Sequence, residues 1–245
     1  MSKPIVHLYT LTYNEEKILP FFFQHYEKFV DRFYVFDNYS TDRTEEICKK
    51  RKDVIFRRWD SKGKMDSFQL TEMRNKIWKK SITPCDFVLV VDADEFLYHK
   101  NMKSVLSKMK KNICTVAKPV GFGMLSSKFP VDNILITEQI KKGIRTPMMD
   151  KCVLFDPKQI LNMSFGLGSH NCLPEGYVRV YRDENLKLLH YKALGIDYSL
   201  ERKQLFRKRV PKKNLKMGIS KHYFADDNEF VKAVNNSIKK AKTVI

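Results

Sequence analysis

Three short polar runs hold the residue types that can do chemistry. Thr12-Tyr13-Asn14-Glu15, Asp37-Asn38-Tyr39-Ser40-Thr41-Asp42 and Asp92-Ala93-Asp94-Glu95 each follow an apolar run. The sharpest is Asp92-Ala93-Asp94. Two carboxylates two residues apart reach one divalent cation when the chain turns out of a buried strand, and hard oxygen ligands suit Mg²⁺ or Mn²⁺. Such a cation keeps several waters and clamps phosphate oxygens. An unpaired Asp is costly at the end of a buried strand, so its place behind Phe87-Val88-Leu89-Val90-Val91 favours a site over a solvated turn. Asp37 stands at the tip of the second run, where a carboxylate accepts from a base N–H or a ribose hydroxyl. Asp42 reads as a helix cap. Arg74 and Asn75 fall inside a helical pattern, and Arg74 faces a diphosphate if that helix borders the same crevice.

The elements that must position these runs alternate along the first hundred residues. Ile5–Thr12, Phe33–Phe36, Val54–Trp59 and Phe87–Val91 read as strands. Glu15–Val30, a segment starting near Asp42, and Phe68–Ser81 read as helices. Pro20 fits only the first turn of its helix. Strand and helix in alternation argue for a parallel sheet with right-handed crossovers, and in such a sheet ligands bind at the carboxyl ends of the strands. Beyond Leu97 the pattern loosens. A helix over Lys103–Lys110 and strands near Thr115–Val120, Cys152–Phe155, Tyr177–Tyr181 and Leu186–Tyr191 are expected. The last two strands form a hairpin across Arg182-Asp183-Glu184-Asn185. Segments 121–150 and 160–176 read as loop-rich, and Glu229–Ala241 as an amphipathic helix.

The 245-residue chain carries 46 Lys and Arg against 28 Asp and Glu, a net charge of +18. That excess raises nucleic acid, an anionic membrane surface or a phosphorylated ligand as partners. Residues 201–245 hold 13 Lys and Arg against 4 Asp and Glu, so the charge is concentrated at the C-terminal end. No RNA-recognition, zinc-finger or helix-turn-helix pattern accompanies it, which argues against nucleic acid. Nothing resembles a membrane span or a signal peptide. Five scattered cysteines without a Cys-x-x-Cys pair read as reduced thiols. A cytoplasmic protein is expected, with peripheral contact at the inner face of a membrane through the basic C-terminal stretch.

The ordered blocks Thr12-Tyr13-Asn14-Glu15-Glu16, Asp37 to Thr44, Arg74-Asn75 and Val90 to Phe96 resemble the family 2 glycosyltransferases, nucleotide-sugar enzymes of the GT-A fold. Leu188 to Gly195 with Glu201-Arg202 and Arg209 is similar to a bacterial subgroup found among surface-polysaccharide enzymes. The resemblance implies that Thr12, Asn14 and Glu15 line the nucleotide site. It also implies that Asp37 binds the base, most often uracil, and that Arg74 lies near the ribose or diphosphate. Asp92 would contact ribose and metal, Asp94 would hold the metal directly, and the anomeric centre would be inverted. The later acidic pair that supplies the base in the familiar pattern is not located. Asp183-Glu184 has about the right spacing from Asp94 but otherwise reads as a turn.

An inverting transfer needs a base near the acceptor hydroxyl. His170, set between glycines and Asn171, is one candidate; Glu175 and Asp183 are others, with Asp150 as an alternate. His190, at the end of a late strand, resembles the histidine that completes metal coordination in several GT-A enzymes, and imidazole would favour manganese. Lys192 follows it as a nucleotide-sugar contact. The run Arg202, Lys203, Arg207, Lys208, Arg209, Lys212, Lys213 reads as a solvated face, a lid that neutralises the leaving diphosphate, or a contact for anionic lipid.

The expected architecture is an α/β GT-A domain over residues 1–200, mostly parallel and flanked by helices. A basic helical extension over 201–245 would pack on or cap it. The expected activity is transfer of a sugar from a nucleotide-diphosphate donor, UDP-linked by preference, to a hydroxyl of a glycan or lipid-linked glycan. A nucleotidyltransferase or a nucleic-acid-binding protein are the alternatives. The first usually carries a Gly-rich loop after the first strand, where this chain has Thr12-Tyr13-Asn14-Glu15-Glu16.

Overall fold

The computed structural model describes residues 3–81 and 85–245. The first half alternates as expected: β1 (Val6–Thr12), α1 (Leu19–Tyr26), β2 (Arg32–Asp37), α2 (Thr44–Lys49), β3 (Val54–Arg58), α3 (Ser67–Lys76) and β4 (Phe87–Val90). Strands β2, β1 and β4 are parallel neighbours, and β3 continues the sheet beyond β2. Thr12 pairs with Asp37, and Asp37 with Arg58, so the carboxyl ends of three strands finish level.

β1 is buried throughout, as a central parallel strand must be. Its alternate side chains feed two cores. Val6 and Leu8 pack with Phe22, Phe23 and Tyr26 of α1. Tyr9 and Leu11 pack with Trp78, Val88 and Phe155 on the other face. Pro20 sits in the first turn of α1, where its missing N–H has no helical partner to lose.

After β4 the chain turns at Asp92–Asp94 and enters a second sheet through β5 (Glu95–Tyr98). Helix α4 (Met102–Lys111) leads to β6 (Val116–Ala117) and β7 (Val120–Ser126), then α5 (Ile136–Gln139), β8 (Lys142–Arg145), β9 (Leu154–Phe155), β10 (Ile160–Asn162) and β11 (Glu175–Gly176). The last stretch holds β12 (Val180–Tyr181), β13 (Lys187–Leu194), α6 (Ile196–Arg209), α7 (Lys212–Lys216), α8 (Asp227–Lys240) and β14 (Lys242–Thr243). The seven-stranded sheet has the order β12-β6-β9-β4-β1-β2-β3, and the second sheet the order β14-β8-β7-β13-β5.

Three expectations need correction here. Residues 177–181 and 186–191 do not form a hairpin: β12 runs parallel to β6 in the first sheet, while β13 pairs with β5 and β7 in the second. The turn at Arg182–Asn185 hands the chain between sheets, and turn chemistry alone does not show which edge each flanking strand will find. Segment 121–150 contains a seven-residue strand rather than only loop. Its glycines hide it. A Cβ at Gly121 would lie 2.3 Å from Met149 Cβ, so only glycine admits the close approach that pins β7 against that segment. Segment 160–176 likewise holds the β10–β11 pair.

Helix α6 runs across position 200, so no break in secondary structure marks the expected boundary there. The C-terminal residues join the same body: β14 extends the second sheet, and α6 and α8 pack on β13, β7 and β8.

Candidate active site

A crevice of about 430 Å³ opens over the carboxyl ends of the parallel strands. The end of β1 supplies Thr12, Tyr13 and Glu15, the end of β2 supplies Asn38, and Trp59 follows β3. Arg74 reaches in from α3, and Asp92 and Asp94 from the β4–β5 turn. The opposite wall comes from His170, from His190 and Lys192 of β13, and from Arg202 and Arg209 of α6.

The structure thus brings together eight residues singled out from the sequence: Thr12, Glu15, Arg74, Asp92, Asp94, His170, His190 and Lys192. Asn14 and Asp37, expected to contact the nucleotide, are not among the residues lining the crevice. The Asp37 carboxylate is buried and accepts from Thr12 Oγ1 at 3.1 Å, from the Ser40 N–H at 2.9 Å and from Ser40 Oγ. Asn14, with φ of 53°, a left-handed geometry Asn tolerates, takes the Thr41 N–H on its Oδ1 at 2.8 Å. These contacts lock the two polar loops together. Glu175 and Asp183 lie outside the crevice lining. Glu175 is exposed and accepts from Ser164 Oγ at 2.8 Å, and Asp183 caps its own turn through the Asn185 N–H at 2.9 Å. Asp150 accepts from the Gly121 N–H at 2.7 Å and pairs with Arg145, which is a structural task.

The acidic turn is charge-compensated from several directions. Arg74, one-tenth exposed at its side chain, pairs with Asp92. Asp94 Oδ2 lies 3.3 Å from His190 Nε2. Glu95, whose carboxylate accepts the Asp92 N–H at 3.1 Å, forms a fully buried pair with Lys151 at 2.6 Å. Burial opposes ionisation of Asp94, but His190, Arg202 and Lys192 outweigh it and hold its carboxyl well below the usual range. Burial likewise opposes the charge on His190, and Asp94 reverses that and raises its pKa. Asp92 stays low against burial because of Arg74 and Lys151. Lys192 is lowered by burial, with Asp94 opposing.

As a cation site, Asp94 and His190 lie side by side but engage each other, so a cation would replace the proton between them. Asp92 is turned to Arg74, so the expected Asp92–Asp94–His190 set is not gathered as three free donors. Among the described residues no cluster of three or more His, Cys, Asp or Glu side chains is arranged to hold a metal. Two protein donors beside an open crevice fit a cation that takes its remaining ligands from phosphate oxygens and water.

The C-terminal wall is where sequence reasoning fell short. Arg202 donates to Glu15 Oε1 at 2.6 Å and to the Asn14 carbonyl at 3.0 Å. Arg209 lies over the Tyr13 ring with 3.2 Å to its centroid and donates through Nε to the Gly63 carbonyl at 3.3 Å. Lys203 and Arg207 tie α6 to Asp227 at the start of α8. The basic run therefore divides: Arg202 and Arg209 build the crevice, Lys203 and Arg207 hold the C-terminal helices, Lys213 pairs with Asp66 at 2.5 Å though exposed, and Lys208 and Lys212 are exposed. His222, next to Tyr223, also lines the crevice and had no pattern to mark it. Burial, then Lys192 and His170, lower its pKa to about 4. Three buried polar atoms of the lining, Glu15 Oε2, Trp59 Nε1 and Arg209 Nη2, have no hydrogen-bond partner among the described residues. Buried polar groups are rarely left so.

An open α/β sheet with a polar, charge-lined crevice at its strand ends defines a ligand-binding protein of the nucleotide-site class. The sequence profile of Glycosyl transferase family 2 matches residues 8–156, and the chain belongs to that family. Its fold is of the GT-A type. No curated protein sequence matches the chain. Among solved structures it is similar to *S. aureus* TarS 1-349, at 14% identity and a TM-score of 0.49, over 84% of this chain and 65% of that one. It is similar to *S. aureus* TarS, at 13% identity and a TM-score of 0.47, over 82% and 39%. It is similar to TarS 1-349 in complex with UDP-GlcNAc, at 12% identity and a TM-score of 0.48, over 84% and 66%. The chain thus spans about two thirds or less of the length of each.

Proposed function

We propose that this chain transfers a sugar from a nucleoside-diphosphate donor, UDP-linked by preference, to a hydroxyl of a glycan or lipid-linked glycan, with inversion. The observation that carries the reading is the convergence of Arg74, Asp92 and Asp94, all inside the family-matched region, on one polar crevice at the strand ends. Thr12, Glu15 and Trp59 take the nucleoside end, and Arg74 and Lys192 take the diphosphate. Asp94 and His190 are the residues to hold Mn²⁺ or Mg²⁺, which when bound would neutralise charge on the departing diphosphate. His170 faces the crevice from the loop after β10 and accepts the acceptor's proton. Burial and Lys151 lower its pKa, so its imidazole is neutral and ready to accept.

The residues of 1–200 supply the strand-end site, and the basic helices of 201–245 close its far wall through Arg202 and Arg209. Among the described residues no helix is long and apolar enough to cross a membrane. The exposed Lys208, Lys212 and Lys213 are the groups for a peripheral contact with anionic lipid.

Thermal denaturation with a panel of nucleotide sugars, with and without Mn²⁺, tests the reading, since a ligand of the native state raises the melting temperature. A rise for one donor, larger with Mn²⁺, and release of nucleoside diphosphate on turnover are expected. Release of pyrophosphate would instead mark a nucleotidyltransferase.

A further inference from the structure

A second cavity, of about 300 Å³, adjoins the crevice; Asp94, His190, Lys192, Arg202, Phe206, His222 and Tyr223 line both. Its remaining walls are of a different character. Met124 of β7, Ala193 of β13, Tyr198 and Ser199 of α6, and Phe230 and Val234 of α8 form them, and the exposed lining is mostly carbon. The charged groups of this cavity are already engaged or lie at the shared end: Lys203 is held by Asp227, and Arg202 by Glu15. One end is therefore polar and opens on the reacting groups, and the body is apolar.

Resting on the donor reading above, we propose that this cavity is the acceptor subsite, and that it takes a glycoside whose aglycone is apolar. The acceptor's hydroxyl-bearing ring stands at the shared end, beside Asp94 and His190, and the aglycone runs between β7 and α8. A free sugar, with hydroxyls around its whole rim, would leave several of them unpaired against Met124, Phe230 and Val234, at the cost of every unmade hydrogen bond. An alkyl or prenyl chain there gains the transfer free energy of each buried methylene instead. The continuity of the two cavities fixes the order of the parts: donor, reacting hydroxyl, then apolar group.

The test is calorimetric titration of the full chain, in the presence of UDP, with n-octyl and methyl β-glycosides of glucose, galactose and N-acetylglucosamine, below micelle-forming concentrations. Octyl glycosides are expected to bind at least tenfold more tightly than their methyl counterparts. Val234→Trp, which fills the cavity from α8, is expected to erase that preference and to leave UDP affinity within twofold. Val234→Ala, which adds no bulk and keeps the fold, is expected to weaken octyl binding about threefold and leave methyl binding unchanged. Equal binding of octyl and methyl glycosides, or a preference that survives in Val234→Trp, would overturn the proposal. UDP alone is titrated in parallel, so a failed donor reading (no UDP heat) is told apart from a failed acceptor cavity (no octyl preference).

Discussion

Arg202 and Glu15, 187 residues apart in sequence, meet at 2.6 Å under the roof of the crevice. The contact joins the first polar loop of the family-matched region to the C-terminal helix outside it. Both side chains are largely buried, at 12% and 8% exposed. Removing Arg202 leaves the buried Glu15 carboxyl, which burial already pushes up to about 7, without its partner. Arg202→Ala is expected to lower stability by about 3–5 kcal/mol, read as a shift in the urea midpoint, and to weaken UDP binding. A melting curve matching the wild type would show the pair to be solvent-screened.

Glu15 also sets a pH dependence. Burial raises its pKa from 4.5 to about 7, against the pull of Arg202 and with help from Asp94 and Asp92. The native state therefore holds a proton that the unfolded chain has lost between those values. Stability must fall as pH rises through that window, because the native state binds the extra proton there. The effect is on the order of a few kcal/mol. Glu15→Gln is expected to flatten the fall between about pH 4.5 and 7. The difference in melting temperature between the two proteins, followed across that range, is the measurement; parallel curves would contradict it.

Much of this site was legible in the sequence, and the reason is local. β1, β2 and β4 each announced themselves as apolar runs ending in polar residues, and a parallel sheet must bring such ends to one edge. The eight crevice residues found in advance sit within three positions of a strand end, inside α3, on β13 or in the Gly166–Asn171 loop. What stayed hidden depends on contacts between distant segments. The Arg202–Glu15 and Glu95–Lys151 pairs join residues whose separation gives no periodic signal. β7 was concealed by glycines that exist to admit Met149. The hairpin failed because turn residues at 182–185 fix a reversal but not the sheet that each flanking strand joins.

Asp92 and Asp94 are expected to separate on mutation, although they belong to one short motif. Asp92→Asn leaves Arg74 buried without its carboxylate, so it should destabilise the fold, and Arg74→Met should recover part of the loss. A double-mutant cycle on urea midpoints is expected to give a coupling of about 0.5–3 kcal/mol. Additive effects would mean the pair contributes nothing jointly. Asp94→Asn is expected instead to abolish the Mn²⁺-dependent gain in UDP affinity while keeping the melting temperature within a few degrees. Calorimetry showing the same Mn²⁺ enhancement as the wild type would remove Asp94 from the metal.

His170, proposed above as the base that takes the acceptor proton, and His222 both line the crevice. His170 lies in the loop after β10, beside Ser169, whose Oγ is 3.4 Å from Lys151 Nζ. His222 lies on the C-terminal wall, with its ring 4.0 Å from that of Tyr223. A general base is worth about 10²–10⁴-fold in rate, and its removal leaves donor binding intact. His170→Ala is therefore expected to lower kcat by that factor with UDP affinity unchanged, and His222→Ala to lower it less than tenfold. The reverse pattern, with the large kcat loss at His222, would transfer the base role to the C-terminal wall. Loss of UDP affinity in His170→Ala, with kcat preserved at saturating donor, would make His170 a binding residue.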